Sequence, residues 1–255
     1  DAAWEYLCET NAPSKNDIIY TSVGAFVVGE MLYRLSLNAD EVSDVYGILL
    51  NPTRLWTQLW TRQKPLGTSH NIHELTTRLA VGSTQTHTDL MGYRGRYTPN
   101  EVYPVFFSPE VYVAYNDPYG HDSNTPYSQF ELLGRFAGGV GSGYGSDCQY
   151  ADLDKQIMYE IRIESNGMLF SRAPKLGERT DTTVGLSMEY DFDWHSFYQL
   201  TALSPCLAIK QRVRYDPVAL EWQAHLGWNL CGTTDYYYYH RNLVEPETNT
   251  SRTYS

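Results

Sequence analysis

The sequence predicts a mainly β protein: an antiparallel up-and-down β-barrel of the transmembrane type, preceded by a short N-terminal helical region. Three observations carry that expectation. Residues 217–231, PVALEWQAHLGWNLC, alternate almost without fault, with Val218, Leu220, Trp222, Ala224, Leu226, Trp228 and Leu230 on one side. Ala219, Glu221, Gln223, His225, Gly227 and Asn229 take the other side, so a strand here has one apolar and one polar wall. The pattern recurs in four upstream segments. Finally, no apolar run approaches the ~18 residues of a membrane-spanning helix, which leaves strands as the way into a bilayer.

In chain order, SKNDIIYTSVGAFVVGEMLYRLS places Ile18, Ile19, Val23, Phe26, Val27, Met31 and Leu35 at helical spacing, with Ser14 or Asn16 as cap and Asp17 in the first turn. Gly24 and Gly29 leave grooves for close approach by another element. VYGILLNPTRLWTQLWTR breaks at Asn51–Pro52, and Pro52 suits the first position of a helix carrying Leu55, Trp56, Leu59 and Trp60 on one side. From there the periodicity becomes two. His73, Leu75, Thr77, Leu79 and Val81 oppose Glu74, Thr76, Arg78 and Ala80. Phe130, Leu132, Gly134, Phe136 and Gly138 oppose Glu131 and Arg135. Ile157, Tyr159, Ile161 and Ile163 oppose Met158, Glu160, Arg162 and Glu164. Val184, Leu186, Met188, Tyr190 and Phe192 oppose Gly185, Ser187, Glu189, Asp191 and Asp193. Turns fall in YNDPYGHDSNTP, GSGYGSDCQYADLD and SRAPKLGERTD. The plan divides into residues 1–68, helices that plug or seal the barrel, and residues 69–255, barrel strands that need not complete it. An antiparallel sheet with one face in water is the alternative.

Composition fits this plan. With 255 residues the chain is long enough for a barrel of about eight strands. The 22 tyrosines and six tryptophans suit aromatic girdles at two membrane interfaces, or equally a glycan-binding surface. A net charge of −11 without a basic cluster argues against nucleic acid. Cys8, Cys148, Cys206 and Cys231 form no CxxC pair and lack zinc-site spacing. Cys206 and Cys231 fall on neighbouring predicted strands, where a disulfide, if the register allows it, and free thiols are both open. The chain starts on DAAWEYLCE without a charged or apolar leader, so the expectation is a removed signal or a part of a precursor.

The stretch WEYLCETNAPSKNDIIYTSVGAFVVGEMLYRLS, with the later LLNPTRLWTQLWTR, resembles the bacterial family DUF3943. That family's pattern is approximately W-E-x-x-x-E-x-x-x-P-S-x-N-D, then G-G-x-x-x-G-E-x-x-Y-R-L-S, then N-P-x-R. Trp4, Glu5, Glu9, Pro13, Ser14, Asn16 and Asp17 match the first block. Gly24, Gly29, Glu30, Tyr33, Arg34, Leu35 and Ser36 match the second, and Asn51, Pro52 and Arg54 the third. Ala25 replaces the second glycine, and the linker between blocks is shorter than usual. The resemblance implies an envelope protein of Gram-negative bacteria with helices preceding an outer-membrane-type barrel. It also implies a longer natural protein, which leaves barrel closure open, and it brings no activity.

Two sets of residues could carry chemistry. Asn16, Asp17, Glu30 and Arg34 form the first, with Glu30 and Arg34 four apart on one helix face. They read either as a polar site for a lipid headgroup or small anion, or as a plug network meeting Arg78, Arg162 or Arg212 in the lumen. The second is Ser187, Glu221 and His225, with Glu189 beside Ser187 on its polar wall: a serine, an acid and a histidine, as a lumenal hydrolase would need. No G-x-S-x-G elbow supports it. His70, His73 and His87 lack metal-ligand spacing, and GRFAGGVGSGYGSD has no Lys-Ser/Thr to make a phosphate loop. No metal and no cofactor are expected. The sequence thus points to an outer-membrane barrel with a non-enzymatic structural or accessory role, its partners membrane lipid and other outer-membrane proteins. A barrel enzyme or carrier acting on lipid, and a soluble glycan-binding β protein, are the alternatives.

Overall fold

The computed structural model describes residues 15–62, 71–87, 90–92, 95–97, 99–145, 156–195, 198–236 and 251–253. Helix α1 (Lys15–Val42) gives way at Ser43, whose hydroxyl accepts from the Val45 amide at 3.2 Å and caps α2 (Asp44–Leu50). Helix α3 (Thr53–Thr61) starts one residue later than predicted: Pro52, with φ of −59°, sits at the cap position, while Asn51 ends α2. Of the predicted caps of α1, Ser14 lies outside the described residues and Asn16 lies within the helix.

Strand β1 (Ile72–His87) is followed by a separate hairpin, β2 (Leu90–Gly92) and β3 (Gly95–Tyr97). Strands β4 (Pro99–Tyr115), β5 (Phe130–Gly145), β6 (Gln156–Arg172), β7 (Thr180–His195) and β8 (Tyr198–Tyr215) then pair in sequence order, each antiparallel to the one before. Strands β9 (Val218–Gly227) and β10 (Cys231–Tyr236) share the remaining edge of β8, and β11 (Ser251–Thr253) adds to β10. Trp228 and Leu230 donate to the carbonyls of Pro205 and Leu203, so β9 and β10 are one long strand interrupted by a bulge. The result is an antiparallel half-barrel of seven long strands. At 16–18 residues, β1 and β4 to β8 far exceed the usual 5–6 of a soluble sheet. The glycine-rich stretch belongs to β5 as regular strand up to Gly145.

The sequence shows no alternating run over β4 or β8, although it places Cys206 on a strand. Their prolines explain both the missing pattern and its tolerance. Pro104 falls where the register shifts on both sides of β4, and Pro205 lies opposite the β9–β10 bulge. Cys206 stands opposite Gly227 and Cys231 opposite Leu203, three residues from Cys206 along β8, and Cys206 is a buried free thiol.

Pairing puts Tyr115, Phe130, Gly167 and Met188 in one row, and Val113, Leu132, Ser165 and Tyr190 in the next. Against this face α1 packs Val27, Met31 and Leu35, with Tyr127 closing the cluster. Gly167 is required here, because a Cβ would run into the Tyr127 ring and Met31. Gly24 likewise lies on the Tyr190 ring, as the groove predicted, whereas Gly29 faces open space.

The opposite face carries Tyr112, Leu133, Glu164 and Asp191, and it is concave. On a flat sheet β5 and β8 would be three spacings, or ~14 Å, apart. Yet Lys210 of β8 reaches Glu131 of β5 at 3.1 Å. Asp117, in the loop after β4, touches Arg212 of β8 at 2.9 Å and His73 of β1 at 4.0 Å, drawing the two sides together. So α1 lies on the convex, apolar face. For α1, the expectation of a helix tied by its charges into the polar lumen is not met: it buries its apolar residues against apolar rows, and the lumenal charges pair among themselves.

Candidate functional site

The concave face encloses a cavity of about 360 Å³, lined by Tyr112, Glu131, Glu164, Asn166, Glu189, Asp191 and Gln223. Each comes from the polar phase of its strand, so the period-two pattern alone delivers them to one place. Curvature then brings distant strands into contact. His225 of β9 lies 2.8 Å from Glu189 of β7, and Asn166 of β6 donates to Glu189 and also meets the His225 Nδ1, both at 2.7 Å. Lys210, only 1% exposed, holds Glu131, and Arg162 pairs with Glu164. Arg135 pairs with Glu160 further along the same face. At the rim, Arg212 donates to Glu221 at 2.7 Å and to Asp117, and stacks 4.4 Å over the Tyr119 ring.

The loop between β4 and β5 sets the electrostatics of that rim. Burial favours the neutral form of Asp117, but hydrogen bonds from Arg212 and the Tyr119 amide outweigh it and hold the carboxyl below the usual carboxylate range. Burial raises the Tyr119 hydroxyl and lowers the His121 imidazole. His121 donates its backbone N–H to the Thr183 hydroxyl at 3.0 Å and has Ser128 Oγ 3.2 Å from Nε2. On the helix side, burial and then the Glu30 carboxylate push Tyr127 up to about 12.

The residues singled out from the sequence fall in three places. Glu30 and Arg34 do pair, at 2.9 Å, and Arg34 donates to the Pro126 carbonyl at 3.1 Å. This ties α1 to the β4–β5 loop on the face away from the cavity. Asn16 and Asp17 belong to α1, but their side chains lie outside the described residues. Ser187 is fully buried on β7 and its hydroxyl has no hydrogen-bond partner, so it is not joined to His225 or Glu221. His225 takes Glu189 as its acid, while Glu221, four positions away, serves Arg212. The nucleophile–base contact of a hydrolytic set is therefore not assembled in this arrangement. Among the described residues, no group of three His, Cys, Asp or Glu side chains is placed to hold a metal ion.

Sequence reasoning passed over Lys210, Asn166 and Asp117. The signal for Lys210 was present, as the single lysine in the run LSPCLAIKQRV, but without β8 in view its phase had no meaning.

The segment that carries α1 and α2 is the part of the chain that a family model matches. Residues 1–51 match the family model of DUF3943, a domain of unknown function. Neither a curated protein nor a solved structure matches the chain. Within the described residues the DUF3943 segment comprises α1 and α2. Three of its motif residues help to fasten α1: Gly24 lies on the Tyr190 ring, Leu35 is in the buried cluster with Val27 and Met31, and Arg34 holds the loop.

Proposed function

We propose that this chain is an outer-membrane β-barrel protein of Gram-negative type with a non-enzymatic, structural or accessory role in the envelope. One observation carries the reading: outside the patch covered by α1, the apolar face is broadly exposed, while the concave face buries a lysine. On the concave face a lysine is 1% exposed, while on the convex face Leu220, Leu226, Leu79 and Val81 are 61–68% exposed. In water such a sheet would expose a broad apolar band and bury charge, the costly choice on both sides. In a bilayer the same sheet places leucine and valine against lipid and satisfies its ionic groups in a polar lumen. The edges of β1 and β9 would have to be paired for that, so the reading includes closure by further strands or another subunit. A barrel enzyme is disfavoured by the unpartnered Ser187, and a soluble glycan binder by the exposed aliphatic band.

The test is fractionation of the natural protein, with gel mobility compared before and after boiling. Recovery in the outer membrane with a heat-shifted band is the expected result. A soluble protein without a shift refutes the proposal.

A further inference from the structure

Helix α3 is docked inside out. Its sequence, TRLWTQLWT, is amphipathic, and a helix of this kind ordinarily buries its apolar stripe. Here the buried residue is Arg54, 4% exposed, in an ion pair with Asp40 of α1 that is itself sheltered from solvent. The apolar stripe points outward: Leu55 is 43% exposed, Leu59 65%, Trp56 74% and Trp60 91%. The threonines cannot redirect it, since Thr57 and Thr61 return their hydroxyls to the carbonyls of Thr53 and Thr57.

The position of the helix says what meets that stripe. The end of α1 is pinned to the strand ends where β1 starts and β4 stops, through Asn38 to the Asn71 amide at 3.1 Å and Asn71 to the Tyr115 hydroxyl at 2.9 Å. Helices α2 and α3 therefore sit at this rim of the sheet, the end at which β9 also begins with the exposed Val218 and Leu220. The rim of an apolar band is the level of the membrane interface, where tryptophan is favoured because its ring is apolar and its N–H is wet. Four such side chains present on the order of 600 Å², short of the ~800 Å² per partner of a specific protein interface. They are ample for a helix lying in the headgroup region.

We infer that α3 is an interfacial anchor that lays Leu55, Trp56, Leu59 and Trp60 into the headgroup–acyl boundary of the bilayer at this rim. The inference rests on the barrel reading for the choice of lipid over a second protein, but its test separates the two.

The full chain and the variant W56S/W60S are reconstituted in phosphatidylcholine vesicles carrying bromine either near the headgroups or near the chain ends, and tryptophan emission is recorded. Both residues are exposed, so the variant should fold. The emission removed by the double substitution is expected to be blue-shifted and quenched about twofold or more by shallow bromine, and much less by deep bromine. The remaining tryptophans, Trp194 and Trp222 of the apolar face among them, report the barrel. If they are quenched and the removed emission is not, the anchor is refuted while the barrel stands. A removed component that is blue-shifted yet unquenched means a protein partner covers α3, which also refutes the anchor. Quenching confined to the removed component upholds the anchor and overturns the barrel. No quenching anywhere overturns both.

Discussion

Replacing Lys210 with methionine tests the curvature on which the cavity depends. Unit charges 3.1 Å apart attract by about 5 kcal/mol at an effective dielectric constant near 20. Each ion also gives up several kcal/mol of hydration on burial, so the net value of the pair is a small difference between large quantities. Breaking it is another matter. Lys210 is 1% and Glu131 15% exposed, and K210M leaves the carboxylate with no cation and little water. The expected cost is about 3–5 kcal/mol. Removing the second charge as well, in K210M/E131Q, should recover about 2–4 kcal/mol of that loss. The quantity is read from urea unfolding of the wild type, both single variants and the double variant in the same detergent or vesicles. If the two substitutions add within about 0.5 kcal/mol, the side chains do not meet, and the sheet is too flat to bring β8 over β5.

Three further outcomes follow from the same geometry. Arginine at Leu226, midway along the bulged β9–β10 strand, should cost about 2–4 kcal/mol in a bilayer, whereas arginine at Leu220 near the rim should cost about 1 or less; equal costs in vesicle unfolding would contradict a lipid-facing surface. G167A should lose about 1–3 kcal/mol by driving Tyr127 and Met31 apart, while G29A, which meets nothing, should gain up to about 1 kcal/mol in a thermal melt. Burial holds His121 below its ordinary 6.5, so the unfolded chain takes up a proton that the folded chain refuses. Stability should therefore fall as pH drops through 6.5, and H121Q should flatten that fall; an identical profile in the variant would remove His121 as its source.

The five alternating segments were legible because period two survives over most of their length. Residue order alone identified them as strands and gave the walls up to Gly227, where the β9–β10 bulge shifts the register by one residue and ends the alternation. Strands β4 and β8 were obscured by Pro104, Pro109 and Pro205, which break the pattern locally; Pro104 is accommodated at register shifts and Pro205 opposite the β9–β10 bulge, while Pro109 keeps its register opposite Leu79. The site was legible as a wall and illegible as a constellation. His225 was matched to Glu221 because four residues separate them on one strand, whereas its partners Glu189 and Asn166 come from strands two and three positions away. Such pairings depend on how tightly the sheet curls, a property of the whole sheet that no local window carries. The DUF3943 motif announced the helices but could not say which face they would cover.

The meander has a consequence for the order of assembly. Every long strand pairs with its neighbour in the chain, so the sheet can grow one hairpin at a time with little loop entropy lost at each addition. Contacts such as Lys210–Glu131 and His225–Glu189 cannot form until the later strands have joined and bent the sheet over the earlier ones. They act as latches that close after the scaffold exists. Their loss would leave the rate of folding nearly untouched and would hasten unfolding, which makes the lumenal charges a means of keeping the structure shut once it is made.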